Sequence, residues 1–184
     1  MKPSVLVPIA DGSEEIEASV IINVLRRAGA QVTIASAKSV LEVTGARGIK
    51  IVADKLLGDC LHEQYDLIAL PGGMPGAEHL RDNAELIMIL KRQVKEGRFY
   101  AAICASPAVV LAHHGFLDGK RATAYPGFQS ILPVSTEANL PVVVDGNCVT
   151  GQSPGTAFEF ALMLIKILFD EEKAREIRRD LVFI

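Results

Sequence analysis

Apolar residues fall in short runs separated by stretches of helical periodicity. Val5-Leu6-Val7-Pro8-Ile9 has strand length, and Asp11-Gly12-Ser13 after it supplies turn and N-cap residues for a helix. In that helix Val20, Ile21, Val24 and Ala28 make one stripe at three- and four-residue spacing, ended by Gly29. Gln31 to Ser36 alternates as a second strand, and the strand-helix-strand order predicts a parallel crossover. Leu41 to Thr44 and Ile49 to Ala53 predict a hairpin around Gly45-Ala46-Arg47-Gly48.

Asp66 to Leu70 reads as a buried strand running straight into Pro71-Gly72-Gly73. Ala84 to Glu96 predicts an amphipathic helix with Ile87, Leu90 and Val94 inward. The apolar run Phe99 to Ile103 stops at Cys104, and Pro107 sits where a helix from Pro107 to Ala112 would want it. Arg121 to Tyr125 and Val142 to Val144 read as strands, with a turn at Asp145-Gly146-Asn147 before Cys148-Val149-Thr150. An apolar helix, Ala157 to Leu168, and a charged one, Glu171 to Val182, follow. Strands alternating with helices predict an α/β fold.

Composition narrows the function classes. The 184 residues, 49% hydrophobic and 22% charged, suit one domain over 1–184 with a substantial core. A net charge of -3 gives no electrostatic case for a nucleic-acid complex or a membrane surface as the main partner. Ala157 to Phe169 is interrupted by Glu159 and Lys166 and is too short to span a bilayer. The first apolar run breaks at Asp11 without a cleavage pattern, so a strand and a cytoplasmic location are expected. Cys60, Cys104 and Cys148 lack a Cys-x-x-Cys pair, and no His-Glu-x-x-His spacing occurs. Reduced thiols are expected, with no metal and no cofactor.

Cys104 carries the strongest chemical signal. It ends a strand at an abrupt turn, with the small residues Ala102 and Ser106 two positions either side, as a nucleophile elbow requires. The amides of a following helix would favour a thiolate, although the same stretch suits an inert core thiol. Glu17 falls on the apolar stripe three and four residues before Val20 and Ile21, so its carboxyl faces inward and is expected to have a raised pKa. A hydrogen-bonded structural carboxyl is the competing reading. Glu14 and Glu15 are expected to be ordinary first-turn acids without a further role. Gly73 allows a close backbone approach. Glu17, Gly73 and Cys104 follow three different strands, where parallel sheets bind ligands. His113 and His114 lie too far along the next helix to touch the sulfur, and His62 and His79 are read as surface residues.

Gly12-Ser13-Glu14-Glu15-Ile16-Glu17, Leu70-Pro71-Gly72-Gly73, Ala101 to Pro107 and Ser153-Pro154-Gly155-Thr156 occur in that order. Together they resemble the ThiJ/PfpI superfamily, in the branch of the parkinsonism-associated protein deglycase and its bacterial thiazole-biosynthesis-named relatives. The resemblance covers nearly the whole chain. It implies a flavodoxin-like three-layer α/β sandwich with a mostly parallel central sheet, and a homodimer. It implies Cys104 as nucleophile, Glu17 as the protonated carboxyl on its sulfur, and an oxyanion pocket of the Gly73 and Ala105 amides. Arg27 and Arg47 would match arginines near the dimer interface, Arg47 approaching the site.

Two departures bear on function. Tyr125 precedes Pro126 where the parkinsonism-associated protein has a histidine, and Ala105 stands where peptidase-like members have one. A cysteine-histidine peptidase or an amidotransferase therefore lacks its base. The expected activity is a cofactor-independent glyoxalase or deglycase converting a small α-oxoaldehyde such as methylglyoxal, or its early adducts, to lactate. The alternative is a redox-sensing or chaperone-like protein with an oxidisable Cys104.

Overall fold

Strand β1 (Ser4–Ile9) is the hub of the computed structural model, which describes residues 2–134 and 139–183. It pairs in parallel with β2 (Gln31–Ser36) on one side, Val5 opposite Val32, and with β6 (Leu67–Leu70) on the other, Val5 opposite Leu67. β3 (Glu42–Thr44) and β4 (Lys50–Val52) form a separate antiparallel hairpin, and β5 (Lys55–Leu56) pairs with β2. β7 (Phe99–Ile103), β8 (Val142–Asp145) and β9 (Cys148–Gly151) complete a seven-stranded sheet of order β5-β2-β1-β6-β7-β9-β8. All its pairs are parallel except β8 with β9. This is the expected mostly parallel α/β sandwich.

Side chains alternate across β1. Val5, Val7 and Ile9 pack with Ile21 and Leu25 of α1 (Glu15–Arg27), Phe160 and Leu164 of α4 (Ala157–Leu168), and Ile177 of α5 (Glu171–Asp180). Leu6 faces the other way, toward Leu80 of α2 (Gly76–Asp82) and Leu86 and Leu90 of α3 (Ala84–Lys95). Burial on both faces explains why these strands read as continuous apolar runs rather than alternating ones. Tyr100, fully buried on β7, donates its hydroxyl to the Phe116 carbonyl at 2.8 Å. Tyr100→Phe leaves that acceptor unpaired and should lower the urea-unfolding free energy by about 1–2 kcal/mol.

Several expected boundaries move. Arg121 to Tyr125 is not a strand: it makes one isolated bridge, Arg121 to Val134. Its amides go elsewhere, Arg121 to the Asp145 carboxylate, Thr123 to the Thr150 hydroxyl and Tyr125 to the Cys104 carbonyl, which leaves no ladder to form. The segment Pro107–Ala112 is a short π-helical turn, not an α-helix. The last helix stops at Asp180 rather than Val182, because Leu181 caps it and Val182 takes φ 51°. The N-cap of α1 is Glu14, one residue beyond the expected Asp11-Gly12-Ser13 turn; Ser13 instead accepts the Ala10 amide on its hydroxyl.

Candidate active site

The strand order runs β1-β6-β7 across the middle of the sheet, so three adjacent carboxyl ends open onto one spot. β7 delivers Cys104 there in a left-handed conformation, φ 64°, unusual for a residue with a side chain. Such a backbone costs roughly 1–3 kcal/mol and persists where the surroundings over-determine it. Here the Cys104 amide donates to the Gly151 carbonyl at 3.0 Å, and its own carbonyl accepts the Tyr125 amide at 2.8 Å. Ser106 donates its hydroxyl to the Pro71 carbonyl at 2.6 Å, tying the elbow to the end of β6. Ala102 and Ser106 are fully buried, as the expected elbow demands.

β1 leads to Glu17 through the first turn of α1. The Glu14 carboxylate accepts the Glu17 amide at 2.9 Å and fixes the start of the helix. Glu17 is completely buried, and its Oε2 accepts the Gly72 amide at 2.7 Å. Its Oε1 is buried without a hydrogen-bond partner of ordinary geometry, and the polar side chain that couples to this carboxyl is the Cys104 thiol. Gly72 is thus the residue that positions Glu17. The Pro71-Gly72-Gly73 pattern flagged the position but not which amide did the work.

Gly72 also sets the approach of β6 to the elbow. A Cβ there would lie 2.6 Å from Cys104 Cβ and 2.9 Å from both the Ala105 nitrogen and the Ile103 oxygen. Two of those neighbours are backbone and cannot swing away. Gly72→Ala should therefore displace the thiol and slow Cys104 alkylation by about 10²-fold, since misplacement near 1 Å has that effect on reactive geometry. Site-resolved mass spectrometry after timed iodoacetamide treatment measures it, and an unchanged rate would refute the tight fit.

Burial is the largest influence on both ionisable groups. It pushes Glu17 up from its ordinary 4.5 to about 7, opposed by the Gly72 amide and by the contact with Cys104. Burial, then the Glu17 charge and the contact with that carboxylate, push the Cys104 thiol up to about 12. The amides of Gly73 and Ala105 pull the other way, and both therefore face the sulfur. This corrects the expected thiolate. Two amides and a six-residue π turn do not outweigh desolvation beside a carboxylate. Burial thus raises both members of one coupled pair, and the thiol and the carboxyl titrate together rather than as separate groups.

The remaining candidates lie further out. Arg27 is exposed and donates from Nε to Asn23 Oδ1 at 2.7 Å, and exposed Arg47 has Nη1 3.4 Å from the Ala46 carbonyl. Among the described residues no hydrogen bond or ion pair joins either guanidinium to Cys104 or Glu17. Tyr125 is hydrogen-bonded to the elbow through its backbone. His79 bonds the Asp11 carbonyl and His114 the Arg81 carbonyl, and neither serves Cys104. No group of three or more His, Cys, Asp or Glu residues that could hold a metal occurs among the described residues.

Glu15 is more than a first-turn acid. It is buried, and its Oε1 accepts the Arg47 amide at 2.5 Å and the Ile49 amide at 3.3 Å, clamping the β3–β4 turn to α1. Gly45 makes room for it, since a Cβ there would meet Glu15 Cγ at 2.3 Å. Nothing in the local pattern distinguished Glu15 from Glu14, because its partners are 32 and 34 residues away.

Comparison with known proteins is decisive at the level of family: the DJ-1/PfpI family pattern matches residues 3–167. The chain belongs to the DJ-1/PfpI family. Among curated family members, Protein DJ-1 homolog B of Arabidopsis thaliana is 46% identical over 177 residues, covering 96% of this chain. The chain spans only 40% of that plant protein's length. A Caenorhabditis elegans relative, glutathione-independent glyoxalase DJR-1.2, is 37% identical over 182 residues, 96% of this chain and 94% of that protein. The structure of oxidized Toxoplasma gondii DJ-1 superposes with a TM-score of 0.96 at 48% identity, covering 98% of each chain. No described helix is long and apolar enough to cross a membrane.

Proposed function

We propose that the protein is a cysteine-dependent glyoxalase or deglycase acting on small α-oxoaldehydes such as methylglyoxal, free or as early adducts. The observation that carries this reading is the buried contact between the Cys104 thiol and the Glu17 carboxyl, with the Gly73 and Ala105 amides directed at the sulfur. The name of the worm relative supports it at the level of the family.

The pair can run the reaction without external acid or base. Glu17 takes the thiol proton as sulfur bonds to the aldehyde carbon, and the Gly73 and Ala105 amides hold the oxygen that becomes negative. Glu17 returns the proton to that oxygen, giving a hemithioacetal. As a carboxylate again, it removes the hydrogen on the former aldehyde carbon as a proton and returns it to the neighbouring ketone carbon. The hydroxyl proton of the first carbon passes to the ketone oxygen, so that the first oxygen becomes a carbonyl and the second a hydroxyl. The first carbon is oxidised by two electrons and the second reduced by two, leaving a lactoyl thioester on Cys104. Water cleaves the thioester, so methylglyoxal and water become lactate and a proton. Lactate formation without glutathione, compared between the native chain, Cys104→Ser and Glu17→Gln, tests the scheme. Equal turnover in all three would refute it.

We further propose that residues 1–184 act as one unit and pair as a homodimer. The exposed Ile16, Ile49 and Val52 on α1 and the β3–β4 hairpin would be covered, with Arg27 and Arg47 nearby.

The solved oxidized relative favours a second reading, oxidation of Cys104 to a sulfinic acid. Cys104 is 8% exposed, against 0% for Cys60 and 1% for Cys148. Mild peroxide should therefore oxidise Cys104 at least about 10-fold faster than the other two. Peptide mass spectrometry reads this, and equal rates would remove the redox reading.

A further inference from the structure

Two of the large apolar side chains left exposed belong to residues whose backbone adjoins the reacting centre. Tyr125 is 45% exposed, although Ala122, Thr123 and Ala124 before it are fully buried. Its amide bonds the Cys104 carbonyl, so the chain surfaces at the elbow itself. The ring lies along Gly127, where a Cβ would sit 3.8 Å from Cδ1. Met74 is 41% exposed and follows Gly73, whose amide faces the Cys104 sulfur. Gly73 is fixed in place, since a Cβ there would meet the Glu14 nitrogen at 2.4 Å. Met74 thus leaves the β6 end of the elbow, and Tyr125 leaves it from the segment hydrogen-bonded to the Cys104 carbonyl. Neither is needed to close the core, and both keep apolar surface in water beside a polar centre.

We propose that Tyr125 and Met74 form an apolar wall beside Cys104 that selects α-oxoaldehydes carrying an aromatic or branched apolar substituent over methylglyoxal. The aldehyde carbon must reach sulfur, so the group on the adjacent ketone carbon extends outward past the elbow. A methyl group is too short to cover either side chain, whereas a phenyl ring can cover much of both. Burying about 50–60 Å² of apolar surface corresponds to about a tenfold gain in binding. Tyrosine and methionine suit the task, one supplying a flat ring and the other a flexible thioether that adapts to it.

The choice of oxoaldehydes rests on the proposed reaction, but the wall would act on any electrophile that reaches Cys104. Two assays separate these claims. The first compares kcat/KM for phenylglyoxal and methylglyoxal. The second compares alkylation of Cys104 by N-phenyliodoacetamide and iodoacetamide, which needs no turnover. The native protein should favour the aryl compound by about tenfold in both, beyond the ratio shown by free cysteine in the alkylation. Tyr125→Ala should abolish most of that preference, Met74→Ala should reduce it, and Tyr125→Phe should retain it. If neither oxoaldehyde turns over but the alkylation preference exists and Tyr125→Ala removes it, the glyoxalase reading fails and the wall stands. A native aryl preference absent from the alkylation, or present but unaltered in both alanine variants, overturns the wall even if methylglyoxal is converted.

Discussion

Cys104→Ser should lower lactate formation from methylglyoxal by about 10³-fold or more, with little change in unfolding free energy. Serine nearly matches cysteine in volume, so the elbow, held by the Gly151 and Tyr125 hydrogen bonds and the close approach of Gly72, keeps its shape. What changes is the acidity of the nucleophile. Glu17 is the acceptor in contact with the thiol, and burial raises both groups, so the proton passes within one coupled pair as sulfur adds to the carbonyl. An alcohol is weaker still as an acid and is a poorer nucleophile without a matched base. A discontinuous assay with lactate dehydrogenase, on protein whose urea midpoint matches the native one, gives the comparison. Residual activity within tenfold of native would show that sulfur does not bond to substrate.

The sheet and the meeting of Glu17, Gly73 and Cys104 at its carboxyl edge were legible in the sequence because both arise from local periodicity. A strand buried on two faces must be apolar throughout, and a glutamate at the head of an inward stripe must point inward. What escaped depends on partners far away in the chain. Arg121 to Tyr125 has strand-like composition, yet its amides are taken by Asp145, Thr150 and Cys104. Glu15 matches Glu14 in sequence and differs only because the hairpin turn folds over it. The thiol pKa depends on such partners too: the helix effect can be read locally, whereas the depth of burial and the charge of Glu17 exist only in the folded chain. Arg47 shows the same limit, since the bond of its amide to Glu15 spans 32 residues and has no local signature.

Glu17→Gln should lower kcat/KM by about 10²–10⁴-fold, the usual contribution of a positioned proton carrier, and should change two pH profiles in a defined sense. Glutamine can still accept the Gly72 amide on its oxygen, so the contact that fixes the side chain survives. It cannot take the thiol proton. Native kcat/KM should rise as pH increases through about 7, where the pair loses its first proton and Glu17 becomes an acceptor, and the variant should lack that rise. Stability should move the opposite way. Because the folded-state pKa lies above the unfolded value, protonated Glu17 stabilises the fold fully below about 4.5, and that stabilisation is lost as pH rises through about 7. The difference corresponds to about 3 kcal/mol between pH 4 and pH 8 for this one carboxyl. Urea unfolding at both pH values, native against Glu17→Gln, isolates the contribution, because the other titrating groups are shared and cancel. If both proteins show the same change, Glu17 ionises in the fold as easily as in water. The proton that links it to Cys104 is then not held by burial, and the acid-base half of the mechanism loses its basis.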